Sequence, residues 1–259
     1  MTRPIGIFDS GVGGLTVLRE IRRVMPNESL IYFGDTARAP YGGKDTETLI
    51  SHGRDIVNFF VKKNAKMVIT ACGTSSSTSY DQLCAEFRGL PIVDTIRPAA
   101  EETLRLAQAP DFRPLFIATQ ATINSGLFSQ LFAKSKAELH VRACPLFAPL
   151  VEAGFVGAHP LASFAAKNYL ADLRGKVNTI ILGCTHYPLL KQALTQALGE
   201  TVFINPAEAT AKAAAAKSLP PPDTPPQTSY YTSGDPEKFS KLARIILDEN
   251  ITPKKLASF

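Results

Sequence analysis

Two cysteines stand where a thiol could take a proton from carbon. Cys72 follows the apolar run Met67-Val68-Ile69-Thr70-Ala71, and Cys184 follows Thr179-Ile180-Ile181-Leu182-Gly183. Each closes a strand-like stretch just before a more helical one. A thiol at such a turn meets free backbone N–H groups and the positive end of a helix, which favour the thiolate. From the ordinary cysteine pKa of about 8.5, a modest downward shift gives a usable base or nucleophile near neutral pH. His186 stands two residues past Cys184 and can tune that thiol or hold a proton. Asp9 ends another strand-like run; it suits an ammonium group, or proton transfer beside a thiol. Two thiols with one acid or imidazole apiece suggest a division of labour. One cysteine removes a proton from one face of a carbon, and the other returns a proton on the opposite face. No cofactor is required for that. Serine hydrolysis fits less well, because no GxSxG elbow is present, and a thiol protease leaves the second cysteine unexplained.

Three neighbouring motifs offer groups to hold a small polar ligand. In Gly6-Ile7-Phe8-Asp9-Ser10-Gly11-Val12-Gly13-Gly14-Leu15-Thr16-Val17 the glycines permit a tight turn and a close ligand approach. It is not a nucleotide loop: Thr16 stands where GxGxxG needs its last glycine, and no phosphate-loop lysine follows. A carboxylate-binding turn fits better, since helix N-termini hold anions. Gly34-Asp35-Thr36-Ala37-Arg38-Ala39-Pro40-Tyr41-Gly42-Gly43 is rich in donors, and the Tyr41 hydroxyl could clamp a polar group; an ordinary Pro-Tyr-Gly-Gly turn is the plainer reading. Gly183-Cys184-Thr185-His186-Tyr187-Pro188 is the third. Cys84 and Cys144 read as packing residues, and His52, His140 and His159 lack chemical company. Zinc held by Cys72, Cys184, His186 and Asp9 matches no standard ligand spacing, so no metal is expected.

These residues need a scaffold that brings strand ends together. Strand-like runs fall at 4–8, 29–33, 67–70, 91–93, 115–118, 138–142, 179–182, 202–205 and 229–232. Between them, Leu15, Leu18, Ile21 and Met25 recur at helical spacing, as do Leu49, Ile56, Phe59 and Phe60. Residues 207–217 and 236–247 also read as helices. The alternation predicts an α/β fold with mostly parallel sheets covered by helices, and ligands beyond the carboxyl ends of the strands. The stretches 67–74 and 179–186 echo one another, which suggests two similar halves. Residues 218–227, with five prolines in ten positions, read as a stiff surface connection.

Composition narrows the class. The chain has 259 residues, 45% of them hydrophobic and 20% charged, which excludes a mainly disordered protein. No apolar stretch approaches the roughly 18 residues of a membrane span, and no signal region precedes the first strand-like run. The expectation is a soluble, cytoplasmic protein. Its net charge of +5 is dispersed, unlike the clustered stripe of a nucleic-acid binder. Four cysteines are too few for a disulfide scaffold.

Taken together, GIFDSGVGG, GDTARAPYG, CPLFAPLVE and GCTHYPLL resemble the glutamate racemases of the cofactor-independent aspartate/glutamate racemase superfamily, and the likeness runs from GIFDSGVGGLTV to YYTSGDPEKF. The resemblance implies two pseudo-symmetric α/β domains with the active site in the cleft between them. One would comprise residues 1–97 with 208–259, the other 98–207. It implies Cys72 as the base for D-glutamate, assisted by Asp9, and Cys184 as the base for L-glutamate, assisted by His186. Asp9, Ser10, Pro40, Tyr41, Gly42, Gly73, Thr74, Thr185 and His186 would bind the substrate; Thr119, Thr122 and Glu152 fall in further family motifs near the cleft. The implied partner is a small acidic amino acid, with neither nucleic acid nor membrane; a homodimer stays open. The implied role is the supply of D-glutamate for bacterial peptidoglycan. Two positions depart from the family. Gly73 stands where an Asn amide usually contacts substrate, and Arg97 stands where Glu is common. Both point to an alternative in which aspartate, or another acidic amino or hydroxy acid, is racemised or isomerised.

Overall fold

The computed structural model describes residues 3–217 and 225–256. Two sheets, both entirely parallel, organise the chain. The larger has the order β10-β9-β2-β1-β3-β4. Its strands are β1 (Ile5–Asp9), β2 (Leu30–Gly34), β3 (Met67–Thr70), β4 (Ile92–Asp94), β9 (Thr228–Thr232) and β10 (Lys254–Lys255). The smaller has the order β6-β5-β7-β8, built from β5 (Pro114–Ala118), β6 (His140–Ala143), β7 (Thr179–Leu182) and β8 (Val202–Ile204). The order 2-1-3-4 in the first sheet recurs as 6-5-7-8 in the second, so the sequence echo at 67–74 and 179–186 marks equivalent strands, β3 and β7.

Period-two alternation explains why both sheets are buried on both faces. In the first, Ile5, Ile7, Tyr32, Met67 and Ile69 pack to one side, and Phe8, Ile31, Phe33 and Val68 to the other. In the second, Leu115, Ile117, Ile180 and Leu182 face one cluster, and Phe116, Ala118 and Ile181 face another. Burial on both faces is what parallel strands require, and it is why these runs read as apolar throughout.

The covering helices follow their apolar spacing and their caps. Leu15, Leu18 and Ile21 bury one face of the helix Leu15–Val24. Asp45 caps the helix Thr46–Lys62 by accepting from the Thr48 N–H. Asp235 caps Pro236–Leu247, which starts on proline and stops at Asp248 in a left-handed conformation. The helix expected at 207–217 forms as Pro206–Lys217 and buries Ala207, Ala211 and Ala214 in the first sheet's core. Of the proline-rich connection, residues 218–224 lie outside the described residues, Pro222 among them, and 225–227 are exposed. Cys144 is fully buried as packing, and Cys84 is half-buried against the Phe60 cluster.

Among the described residues, no helix is long and apolar enough to cross a membrane.

Candidate active site

In each sheet the chain runs first to one side and then to the other, and the reversal falls between β1 and β3 and again between β5 and β7. Ligands of parallel sheets bind beyond such switch points. Asp9 ends β1, and Cys72 lies just past β3; Thr119 follows β5, and Cys184 lies just past β7. Residues from both sheets line one cavity of about 640 Å³. Of the residues expected at the site, Asp9, Ser10, Pro40, Tyr41, Gly42, Cys72, Gly73, Thr74, Thr119, Glu152, Cys184, Thr185 and His186 all line it. Thr122 does not; it is buried, and its hydroxyl lies 3.0 Å from that of Thr119. Thr119 in turn lies 2.9 Å from the Thr74 hydroxyl across the cleft. A second hollow of about 660 Å³, lined by Arg22, Glu28, Tyr230 and Glu249, sits at the amino ends of β2 and β9 and holds none of these groups.

The two thiols have unlike company. Cys72 is 5% exposed, and its Sγ lies 3.8 Å from Ser10 Oγ. Burial, then the negative charge of Asp9, pushes this thiol up to about 12. The modest downward shift expected from the turn does not occur: the following helix, Gly73–Thr78, is short, and desolvation outweighs its amides. Cys184 is 8% exposed, with its Sγ 3.6 Å from His186 Nδ1. His186 Nε2 in turn lies 2.7 Å from Glu152 Oε1. Burial works against a charged imidazole, but the bonds and charges of Cys184 and Glu152 prevail and hold His186 well above its usual range. Burial likewise opposes ionised Glu152, yet the His186 bond and charge keep its carboxyl below normal. The arrangement is a Cys184–His186–Glu152 chain of contacts on one side of the cavity and, on the other, Cys72 beside Ser10 under the charge of Asp9.

Three expectations change. The glycine turn after β1 holds the protein's own carboxylates rather than a free anion: Gly14 N–H donates to Asp9 Oδ2 at 2.9 Å, Gly11 N–H at 3.3 Å, and Val12 N–H to Glu152 Oε1 at 3.1 Å. The Tyr41 hydroxyl donates to buried Asp35, so Tyr41 lines the cavity but does not offer that group to a ligand. Arg97 lies away from the cavity. It pairs with Asp81 at 2.7 Å and Asp94 at 3.4 Å and covers the Tyr80 ring, so it supplies no reason for a changed substrate.

Sequence reasoning missed the last wall. Asp235, Lys238, Phe239 and Leu242, from the start of the helix Pro236–Leu247, also line the cavity. The strand-end rule reaches them, since Asp235 follows the end of β9 at Thr232 as Asp35 follows that of β2. Asp35, within the donor-rich motif, supports this wall. It accepts from Ser233 Oγ at 2.7 Å and pairs with Arg38 Nε at 2.6 Å, tying the ends of β2 and β9 behind Tyr41. Among the described residues, no cluster of three or more His, Cys, Asp or Glu is placed to hold a metal ion.

One cavity is thus lined from two parallel sheets, with a buried thiol from each. The chain belongs to the Asp/Glu/Hydantoin racemase family, whose profile matches residues 11–214, and it is an isomerase. It is 38% identical over 250 residues to the glutamate racemase of Aquifex aeolicus, with 96% of each chain covered. The structure of Thermus thermophilus glutamate racemase in complex with β-chloro-D-alanine superposes with a TM-score of 0.85 at 37% identity, covering 98% of this chain and 97% of that one. The glutamate racemase of Francisella tularensis in complex with D-glutamate gives 0.87 at 31% identity, with 98% and 97% covered.

Proposed function

We propose that this protein interconverts L- and D-glutamate by proton transfer between two cysteines and the α-carbon, with no cofactor. The observation that carries this reading is that Cys72 and Cys184, from different sheets, line one cavity. The Cα–H of an amino acid is a weak acid, so the base must be strong and the developing charge must meet fixed donors. A buried thiol raised to about 12 is such a base once ionised. From D-glutamate, the Cys72 thiolate takes the α-proton and becomes a thiol. Cys184 gives its S–H proton to the opposite face and becomes a thiolate beside His186. From L-glutamate the roles reverse. The substrate carbon sits about 3–3.5 Å from each sulfur at the moment of transfer. Ser10, Thr74 and Thr185 hydroxyls and the Gly42 and Gly73 backbones hold the carboxylates, with Pro40 and Tyr41 shaping the wall; Asp9 suits the ammonium.

The domains of this reading are residues 1–97 with 208–259, and 98–207. The matching strand orders of the two sheets support that division. The reaction belongs in the cytoplasm and supplies D-glutamate to peptidoglycan. The test is deuterium incorporation at Cα in heavy water. Wild-type protein exchanges both enantiomers, and Cys72→Ala and Cys184→Ala each abolish racemisation; absence of exchange from either enantiomer by wild type sinks the proposal.

Gly73 alone still favours a second reading, in which aspartate or another acidic acid is preferred. A panel of enantiomers followed by circular dichroism decides, and glutamate turning over far faster than the rest removes it.

A further inference from the structure

We infer that Gly73 is a positioning residue: with no side chain, it lets the two thiol-bearing turns touch backbone to backbone, and that contact sets the distance between the thiols. The inference rests on the two-thiol reading of the cavity. Gly73 follows Cys72, and Gly183 precedes Cys184, so the two glycines flank the two thiols directly. A Cβ built on Gly73 falls 2.3 Å from the Gly183 carbonyl oxygen, 3.3 Å from its carbonyl carbon and 3.8 Å from Cys184 Cα. The obstacle is backbone, so no rotamer relieves it.

Neither turn can retreat within its own half. Gly183 N–H donates to the Ile117 carbonyl at 2.8 Å, and the space a Cβ of Gly183 would take is filled by Phe116 at 2.4 Å and Ala118 at 2.9 Å. On the other side, Ser76 N–H bonds the Cys72 carbonyl at 2.8 Å, and Ser76 Oγ bonds the Thr70 carbonyl at 2.9 Å. A side chain at 73 therefore moves the halves apart by roughly 1 Å, the gap between 2.3 Å and ordinary van der Waals contact. Other glycines of the first half meet the second in the same way. A Cβ at Gly13 would fall 2.5 Å from His186 Nδ1, and one at Gly11 2.1 Å from Glu152 Oε1. Those obstacles are side chains, which can shift; at Gly73 only the whole turn can.

Proton delivery to a carbon held between two sulfurs is steep in distance, and a 1 Å misplacement can cost about 10²-fold. Abstraction by the nearer thiol needs only one sulfur, whereas inversion needs both. Wedging the cleft should thus separate two events that wild type couples: loss of the α-proton to solvent, and inversion.

The test compares wild type with Gly73→Ala. Racemisation is followed by circular dichroism, α-proton exchange by NMR in heavy water, and cross-cleft contact by amide hydrogen exchange without substrate at Val12, which donates to Glu152, and at Ala121, which donates to the Gly42 carbonyl at 3.2 Å. In Gly73→Ala, kcat for racemisation should fall about 10²-fold, and KM should rise as well, because the groups that hold the substrate from the two halves separate. The ratio of exchange with retention to inversion should rise, and Val12 and Ala121 should lose protection at unchanged global fold. Wild-type kcat in Gly73→Ala overturns the inference. So does an equal loss of exchange and inversion, and so does unfolding, because relief is assigned to the cleft and not to either sheet. If wild type leaves glutamate untouched while Gly73→Ala still deprotects Val12, the glutamate reading fails and the steric role of Gly73 stands.

Discussion

Cys72 and Cys184 face one cavity with opposite electrostatic neighbours. Beside Cys72 stands the carboxylate of Asp9; beside Cys184 stands an imidazole raised, against its burial, by its contacts with Cys184 and Glu152. In the proposed mechanism Glu152 acts through His186. In Glu152→Gln the imidazole loses its charged partner, and racemisation should fall about 10- to 100-fold, as for a lost hydrogen bond to a charged group. The alkaline limb of the pH–rate profile should move to lower pH, because His186 then loses its proton earlier. The same pair leaves a mark on stability. A raised histidine value stabilises the fold fully below about pH 6.5 and loses that contribution as pH rises through the folded value. A lowered carboxyl value stabilises above about pH 4.5 and loses it as pH falls through the folded value. Thermal melts of Glu152→Gln should show the largest deficit between those limits, about 1–3 kcal/mol, fading above pH 6.5. A deficit independent of pH contradicts the pairing.

At the scale of elements, the helix Pro236–Leu247 serves both fold and site. Asp235 accepts from the N–H groups of Glu237 at 2.8 Å and Lys238 at 3.4 Å, while Lys238, Phe239 and Leu242 line the cavity. Asp235→Ala should cost about 1 kcal/mol as a lost N-cap, and KM should rise because the same turn carries the wall. Melting and steady-state kinetics check this; a stability loss with KM unchanged would separate cap from wall. Most elements were legible in the sequence because the central strands are buried on both faces and read as apolar runs; Met67–Thr70 and Thr179–Leu182 have the expected bounds. Lys254–Lys255 was not legible, since two exposed lysines pair only through backbone at the edge beside β9. The site was legible where chemistry clusters in sequence, as in Gly183-Cys184-Thr185-His186. It was not where a contact is made across the cleft, as between Val12 and Glu152, because no local pattern records partners so distant. The thiol shift at Cys72 was misjudged for a related reason: burial is a property of the whole cavity and outweighs the turn that can be read locally.

The whole molecule is two sheets with their own apolar cores; Leu189 packs against a cluster of each, and polar contacts join the halves around the cavity. Thr16 Oγ1 donates to the Thr185 carbonyl at 3.2 Å, and Thr185 Oγ1 to Asp9 Oδ1 at 3.4 Å. Ala121 N–H donates to the Gly42 carbonyl at 3.2 Å. Bodies joined this way move relative to one another by default, so a ligand that bridges them should stabilise the closed arrangement. D-glutamate at 100 times its Kd should add about 2.7 kcal/mol to stability. Thr16→Val removes a hydroxyl that bonds both its own turn and the opposite half, without changing the size of a side chain that is 1% exposed. It should lower stability by about 1 kcal/mol and raise the Kd for D-glutamate several-fold, because the Thr185 turn is no longer held in register with Asp9. Calorimetric titration and melts with and without D-glutamate measure both quantities. An unchanged Kd in a destabilised Thr16→Val protein would place this bond in the fold alone and leave closure to the remaining contacts across the cleft.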